Sequence, residues 1–79
     1  MQKVNFYFVS DSTGETVLSV GTAALAQFEE LEVEKFLWPL VRSNEQIDSL
    51  IEDVRGKFSI VLYTIADDNL RAYLKKQCQ

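Results

Sequence analysis

Three times this chain passes from a short apolar run with strand character into a segment whose apolar residues recur with helical spacing. That alternation leaves few folds open. In the first run, Val4, Phe6 and Phe8 point one way and Tyr7 and Val9 the other. Bulk on both faces suits a strand covered on both sides. From Glu15 the period changes, and Val17, Gly21, Ala24, Leu25 and Phe28 fall on one helical face. The acidic run Glu29, Glu30, Leu31, Glu32 reads as a solvated helix end or turn. Its sign opposes the dipole at a helix C-terminus, so fraying is expected there.

The second strand lies within Val33 to Val41, and Pro39, which cannot donate to a ladder, marks an edge strand or a strand end. Ser43 opens the second helix, whose apolar positions are Ile47, Leu50, Ile51 and Val54, and Gly56 is its stop signal. Phe58 to Ile65 is a nearly unbroken β-branched and aromatic run, the clearest strand in the chain. Asp67 or Asp68 caps the third helix. Leu70, Tyr73 and Leu74 face inward, and Lys75 and Lys76 sit favourably near its C-terminus.

The order βαβαβα predicts an α/β fold of three layers with a parallel sheet and right-handed crossovers. With the Pro39 strand at an edge, the strand order 2-1-3 of flavodoxin-like folds is favoured over 3-2-1. The first helix then lies on one face and the other two on the opposite face. Residues 1–79 form a single α/β subdomain with no repeat, low-complexity tract or linker. The third strand is apolar throughout yet falls at a sheet edge, where it invites pairing. The unit is therefore expected to be incomplete. The missing strand comes from beyond Gln79 or from a partner chain, and self-association through the third strand is the expected route in isolation.

Composition closes several functional classes. The chain has one cysteine, Cys78, and no histidine, so an internal disulfide, a Cys/His zinc site and a histidine-based hydrolase triad are all excluded. Cys78 has no histidine partner to activate it as a catalytic thiol. A lone cysteine fits a reducing, cytoplasmic setting. The net charge of −4 argues against a nucleic-acid surface. No apolar run approaches membrane-spanning length, and the N-terminus lacks a signal-peptide core.

In an open parallel sheet, ligands bind beyond the C-terminal strand ends at the switch point. For the order 2-1-3 that point lies between strands one and three, so Asp11, Ser12, Thr13, Thr64 and Asp67 are expected around one crevice. Ser12, Thr13, Gly14 and Glu15, at the start of the first helix, together with Arg42, are the candidate anion-binding set. A helix N-terminus offers free N–H groups, Gly14 lets the backbone approach closely, and Arg42 is the only cation expected at this rim. Asp11, Thr64 and Asp67 form the rim of the crevice. The same turn also reads as a capping box, Ser12 bonding into the first helical turn and Glu15 returning the bond. Ser43 to Gln46 has the same form. A cap alone does not explain Asp11, Thr13 and Gly14 arriving together. Tyr7, Tyr63 and Trp38 are expected in the core with polar tips at the rim. No Walker A or GxGxxG pattern occurs, no catalytic residue is assigned within these residues, and no metal site is expected.

Ser10-Asp11-Ser12-Thr13-Gly14-Glu15-Thr16, then Ala23 to Phe28, Trp38 to Ser43, Val61 to Thr64, and Leu70 with Arg71, resemble the N-terminal part of the pyruvate, phosphate dikinase regulatory protein family. That family includes the phosphoenolpyruvate synthase regulatory proteins. The likeness covers essentially the whole chain, and the Ser10–Thr16 signature is its most specific part. It implies a bacterial or plastid cytoplasmic enzyme with two opposed activities. One is an ADP-dependent kinase acting on a threonine of the dikinase or synthase; the other is a phosphate-dependent removal of that group as pyrophosphate. Family members are several times longer and carry their P-loop downstream, so the resemblance implies an N-terminal fragment, inactive alone. ADP and phosphate belong to the parent protein, and no cofactor is expected for these residues by themselves. Two other readings remain open on the residues: a stand-alone receiver-like binding module with Asp11 and Asp67 or Asp68 on magnesium, and a structural dimerisation domain.

Overall fold

A computed structural model describes residues 3–27 and 32–78. Strand and helix alternate as β1 (Lys3–Ser10), α1 (Glu15–Leu25), β2 (Glu32–Trp38), α2 (Asn44–Val54), β3 (Ser59–Thr64) and α3 (Asp68–Cys78). β1 is central and pairs in parallel on both sides. Lys3 to Val9 lie opposite Glu32 to Trp38, and Asn5 to Ser10 lie opposite Ser59 to Thr64. The order is β2-β1-β3, as the pattern predicts. β2 takes an edge because it carries Glu32, Glu34 and Lys35, charges that only a solvent-facing edge accommodates. Lys3 reaches Glu34 at 2.8 Å across that side, and the strand stops one residue before Pro39.

The two sheet faces are covered unequally. On one, Tyr7 and Val9 pack with Ile47 and Leu50 of α2 and with Leu70 and Leu74 of α3. Tyr7 stacks on Phe36 at 4.9 Å between ring centroids, and Tyr73 Oη donates to Asp48 Oδ1 at 2.6 Å, joining α3 to α2. On the other face α1 works alone. Val17 and Leu25 bury Phe8, with Phe6, Val33 and Leu62 around them. Leu18, Val20, Leu37 and Ile60 stay exposed beside this single helix.

Gly21 sets how closely α1 lies on β1. A Cβ there would stand 2.9 Å from Phe8 Cδ1 and closer still to Cε1, so a side-chain-free position is needed at the crossing. Of the expected α1 face, Val17, Gly21 and Leu25 are buried, whereas Ala24 is exposed because the helix rests along a narrower line than its apolar stripe. Phe28, Glu29, Glu30 and Leu31 lie outside the described residues, and Glu32 is the exposed first residue of β2. α2 stops at Val54, and Gly56 takes φ +80° just beyond it, as a stop signal should. Among the described residues no helix is long and apolar enough to cross a membrane.

Gly21→Ala inverts the usual helix rule. An exposed helical glycine gains about 1 kcal/mol on becoming alanine. Here the added methyl meets the Phe8 ring, and overpacking of this kind costs roughly 1–3 kcal/mol. The expected result is a lower urea midpoint for Gly21→Ala, with the exposed control Thr22→Ala unchanged or raised.

Candidate functional site at the carboxyl rim of the sheet

The rim is built by the main chain leaving β1. Ser10 is buried, and its Oγ accepts from the N–H of Ser12 at 3.1 Å and lies 3.3 Å from Ser12 Oγ. The carbonyls of Ser10, Asp11 and Ser12 then turn to the loop after β2. Val41 N–H donates to Ser10 O at 2.9 Å, Leu40 N–H to Ser12 O at 2.8 Å, and Arg42 Nε to Asp11 O at 3.0 Å. On the other side Asp11 Oδ2 accepts from Ala66 N–H at 2.8 Å, bridging to the loop after β3. Asp11 N–H also reaches Thr64 O at 3.4 Å. Asp11 thus ties all three strand exits together.

This geometry corrects the first capping box. The N-cap of α1 is Gly14, at φ +89° and ψ 1°, and no side chain caps it. Ser12 cannot serve, because its backbone is drawn toward Leu40 and its hydroxyl toward Ser10. Gly14 is required twice over: its φ is left-handed, and a Cβ would stand 2.9 Å from Leu37 Cδ1. The first intrahelical bond runs from Leu18 N–H to Gly14 O, so the N–H groups of Glu15, Thr16 and Val17 precede the ladder; Glu15 and Thr16 are exposed and Val17 is buried. Thr13 stands exposed beside them, and Glu15 places a carboxylate in the first turn.

The second capping box is present as expected. Ser43 Oγ accepts from Gln46 N–H at 3.2 Å, and Ser43 N–H donates to Gln46 Oε1 at 3.1 Å. Gln46 does more than cap. Its Oε1 also accepts from Arg42 N–H at 2.6 Å, and its Nε2 donates to Leu40 O at 3.1 Å. Leu40 sits at φ 57°, a left-handed conformation that leucine rarely takes. Asp67 caps α3 through Oδ1, which accepts from Leu70 N–H at 2.9 Å.

Two further expectations need adjustment. Arg42 is not the only cation at the rim. Arg71 Nη1 donates to Ile65 O at 3.0 Å and its Nη2 pairs with Asp68, bringing a second guanidinium to the loop after β3. The signal for it was the position of Arg71, one turn into α3 and three residues after Asp68. Thr64 O accepts from Asp11 N–H, while Ser12 O accepts from Leu40 N–H on the β2 side. The Tyr7 hydroxyl points away from the rim, toward Lys57 Nζ at 3.5 Å. Burial, and then the Asp53 carboxylate beside it, push that phenol above its ordinary pKa, with Lys57 opposing. Partial desolvation raises the Cys78 thiol as well, which disfavours a thiolate.

The receiver-like reading finds no acidic cluster. Asp11 and Asp67 each hold a backbone N–H, Asp68 pairs with Arg71, and among the described residues no three carboxylate or cysteine side chains gather.

The pattern of the kinase/pyrophosphorylase family matches residues 6–79. This chain belongs to the kinase/pyrophosphorylase family. Its relatives include proteins named as pyruvate, phosphate dikinase regulatory proteins. The one from Wolbachia pipientis subsp. Culex pipiens (strain wPip) is 43% identical over 99% of this chain and 30% of its own length. That of Ehrlichia chaffeensis is 47% identical over 94% of this chain and 28% of its own length. That of Sphingopyxis alaskensis is 35% identical over 100% and 29%. The chain therefore spans less than a third of these relatives.

Among the described residues, Asp11→Ala removes the only side-chain hydrogen bond between the loops after β1 and β3. The expected outcome is at least tenfold faster amide exchange at Ala66 and a stability loss of about 1 kcal/mol, the scale of one hydrogen bond, read from exchange and urea midpoints.

Proposed function

We propose that this chain forms the N-terminal α/β part of an enzyme that switches pyruvate, phosphate dikinase or phosphoenolpyruvate synthase by reversible phosphorylation of a threonine. In the forward step the threonine oxygen attacks the β-phosphorus of ADP. The bond to the bridging oxygen breaks, AMP leaves, and the hydroxyl proton passes to a base. In the reverse step an oxygen of inorganic phosphate attacks the phosphothreonine phosphorus, freeing threonine and forming pyrophosphate. The observation that carries this reading is the family match across residues 6–79. The bacterial relatives' names support the target.

The share assigned to these residues is positioning, not turnover. They contain no Walker A loop to cradle a nucleotide's phosphates, so the 79-residue chain is inactive alone and needs no cofactor of its own. Within the longer enzyme, which uses ADP and phosphate in the cytoplasm, the rim holds a phosphate oxygen. The N–H groups of Glu15 and Thr16 offer donors with the helix dipole behind them, and Thr13 adds a hydroxyl. Arg42, fixed through Nε to Asp11 O, presents its terminal nitrogens nearby. In isolation the chain associates with itself along β3, whose outer edge carries no charge.

Two measurements test this. The full-length Wolbachia relative, given ADP and dikinase, should form AMP and phosphothreonine, while the purified 79-residue chain forms neither. Turnover by the short chain overturns the assignment of inactivity, and none by the long one overturns the function. Separately, millimolar phosphate should shift the backbone amides of Glu15 and Thr16, and Arg42→Gln should weaken that response several-fold. A flat titration removes the anion site.

A further inference from the structure

The two edges of the sheet are not alike. The β2 edge carries Glu32, Glu34 and Lys35 and is closed off by Pro39, the protections of a permanent edge. The β3 edge reads Ser-Ile-Val-Leu-Tyr-Thr, with no charge and no proline. Phe58 O accepts from Asn5 N–H at one end of the β3 ladder and Thr64 O from Asp11 N–H at the other. The even-numbered residues of β3 therefore face β1, and Ser59, Val61 and Tyr63 turn their N–H and C=O groups outward. The side chains of these three residues line a cavity of about 630 Å³ beside Leu74 and Cys78 of α3. Ser59 Oγ is buried there with no hydrogen-bond partner, a state that native interiors rarely leave unresolved.

The topology specifies what belongs in this place. α2 carries the chain from β2 across β1 to β3 on one face of the sheet, and α3 packs on that same face. Crossovers of one hand on one face advance in one direction. A parallel strand following α3 therefore falls on the outer side of β3. The relatives hold such chain, being more than three times as long as the region matched.

We propose that the outer edge of β3 receives, in parallel, the strand that follows the α3 region in the family's full-length chains. Its first inward side chains fill the cavity, and its arrival supplies a partner for Ser59 Oγ. The strand addition is intramolecular, so a second copy of the chain pairs at this edge only when the strand is missing. The inference rests on family membership and length, not on the proposed activity, and its readout involves no phosphoryl transfer.

The test is hydrogen exchange with backbone nuclear Overhauser contacts in the full-length Wolbachia relative, at the positions aligned with Val61 and Tyr63. The expected result is exchange slowed at least a hundredfold below the random-coil rate and unchanged on tenfold dilution. It should come with the interstrand contacts of a parallel pair. Exchange near the random-coil rate would leave the edge bare and overturn the proposal. Protection that falls on dilution would make a second copy the occupant and overturn it equally. So would the close Hα–Hα contacts of an antiparallel strand.

Discussion

The carbonyl groups of Ser10, Asp11 and Ser12 are the hinge on which this structure is built. All three accept from residues Leu40 to Arg42, and the Asp11 carboxylate reaches Ala66. Each bond extends the sheet's order past the last ladder pair, so the loops at the rim are held by the strands rather than by their own packing. Fixing a loop residue's backbone costs about 1–2 kcal/mol of conformational entropy, and a chain this short has few other contacts to offset it. Leu40 shows the tension. Its left-handed backbone is unfavourable by roughly 1–2 kcal/mol, and it persists because its N–H goes to Ser12 O and its C=O to Gln46 Nε2.

The same clamp decides how α1 begins. A serine two positions before a glycine, followed by glutamate, reads as a capping box, and the local pattern at Ser43 with Gln46 does become one. At Ser12 the pull of Leu40 wins, because a backbone bond that continues a sheet edge competes directly with the φ/ψ a cap needs. Local chemistry at Ser43 has no such rival.

Much of the fold was legible for a physical reason. Strands covered on both faces carry bulk on both faces, as β1 does, and Pro39 marked an edge strand or a strand end. Those two facts favoured the order 2-1-3, which the sheet adopts. What was not legible depended on contacts distant in sequence. Asp11 looked like a rim carboxylate, and its partner Ala66 lies 55 residues away in the chain. Gly21 looked like one more small residue on a helix face, and only its crossing with Phe8 shows why a side chain is refused. Arg71 had no role in the pattern, and only its bond to Ile65 O brings it to the rim.

The bond from Asp11 to Ala66 also settles a conflict in the rim's electrostatics. A carboxylate next to the start of a helix opposes an incoming phosphate unless its charge is directed elsewhere. Here Asp11 turns its Oδ2 toward the β3 side, while Gly14, at the head of α1, rests against Leu37 on the β2 side. Arg42 enters from that same β2 side and stands with its Nε on Asp11 O. Asp11 and Arg42 thus stand on opposite flanks of β1, and the N–H groups that open α1 precede the helical ladder. Glu15 remains as a local competitor for those donors. A side chain so exposed exchanges its place at the helix end with another anion at a cost of only about 0.3–1 kcal/mol of dipole interaction.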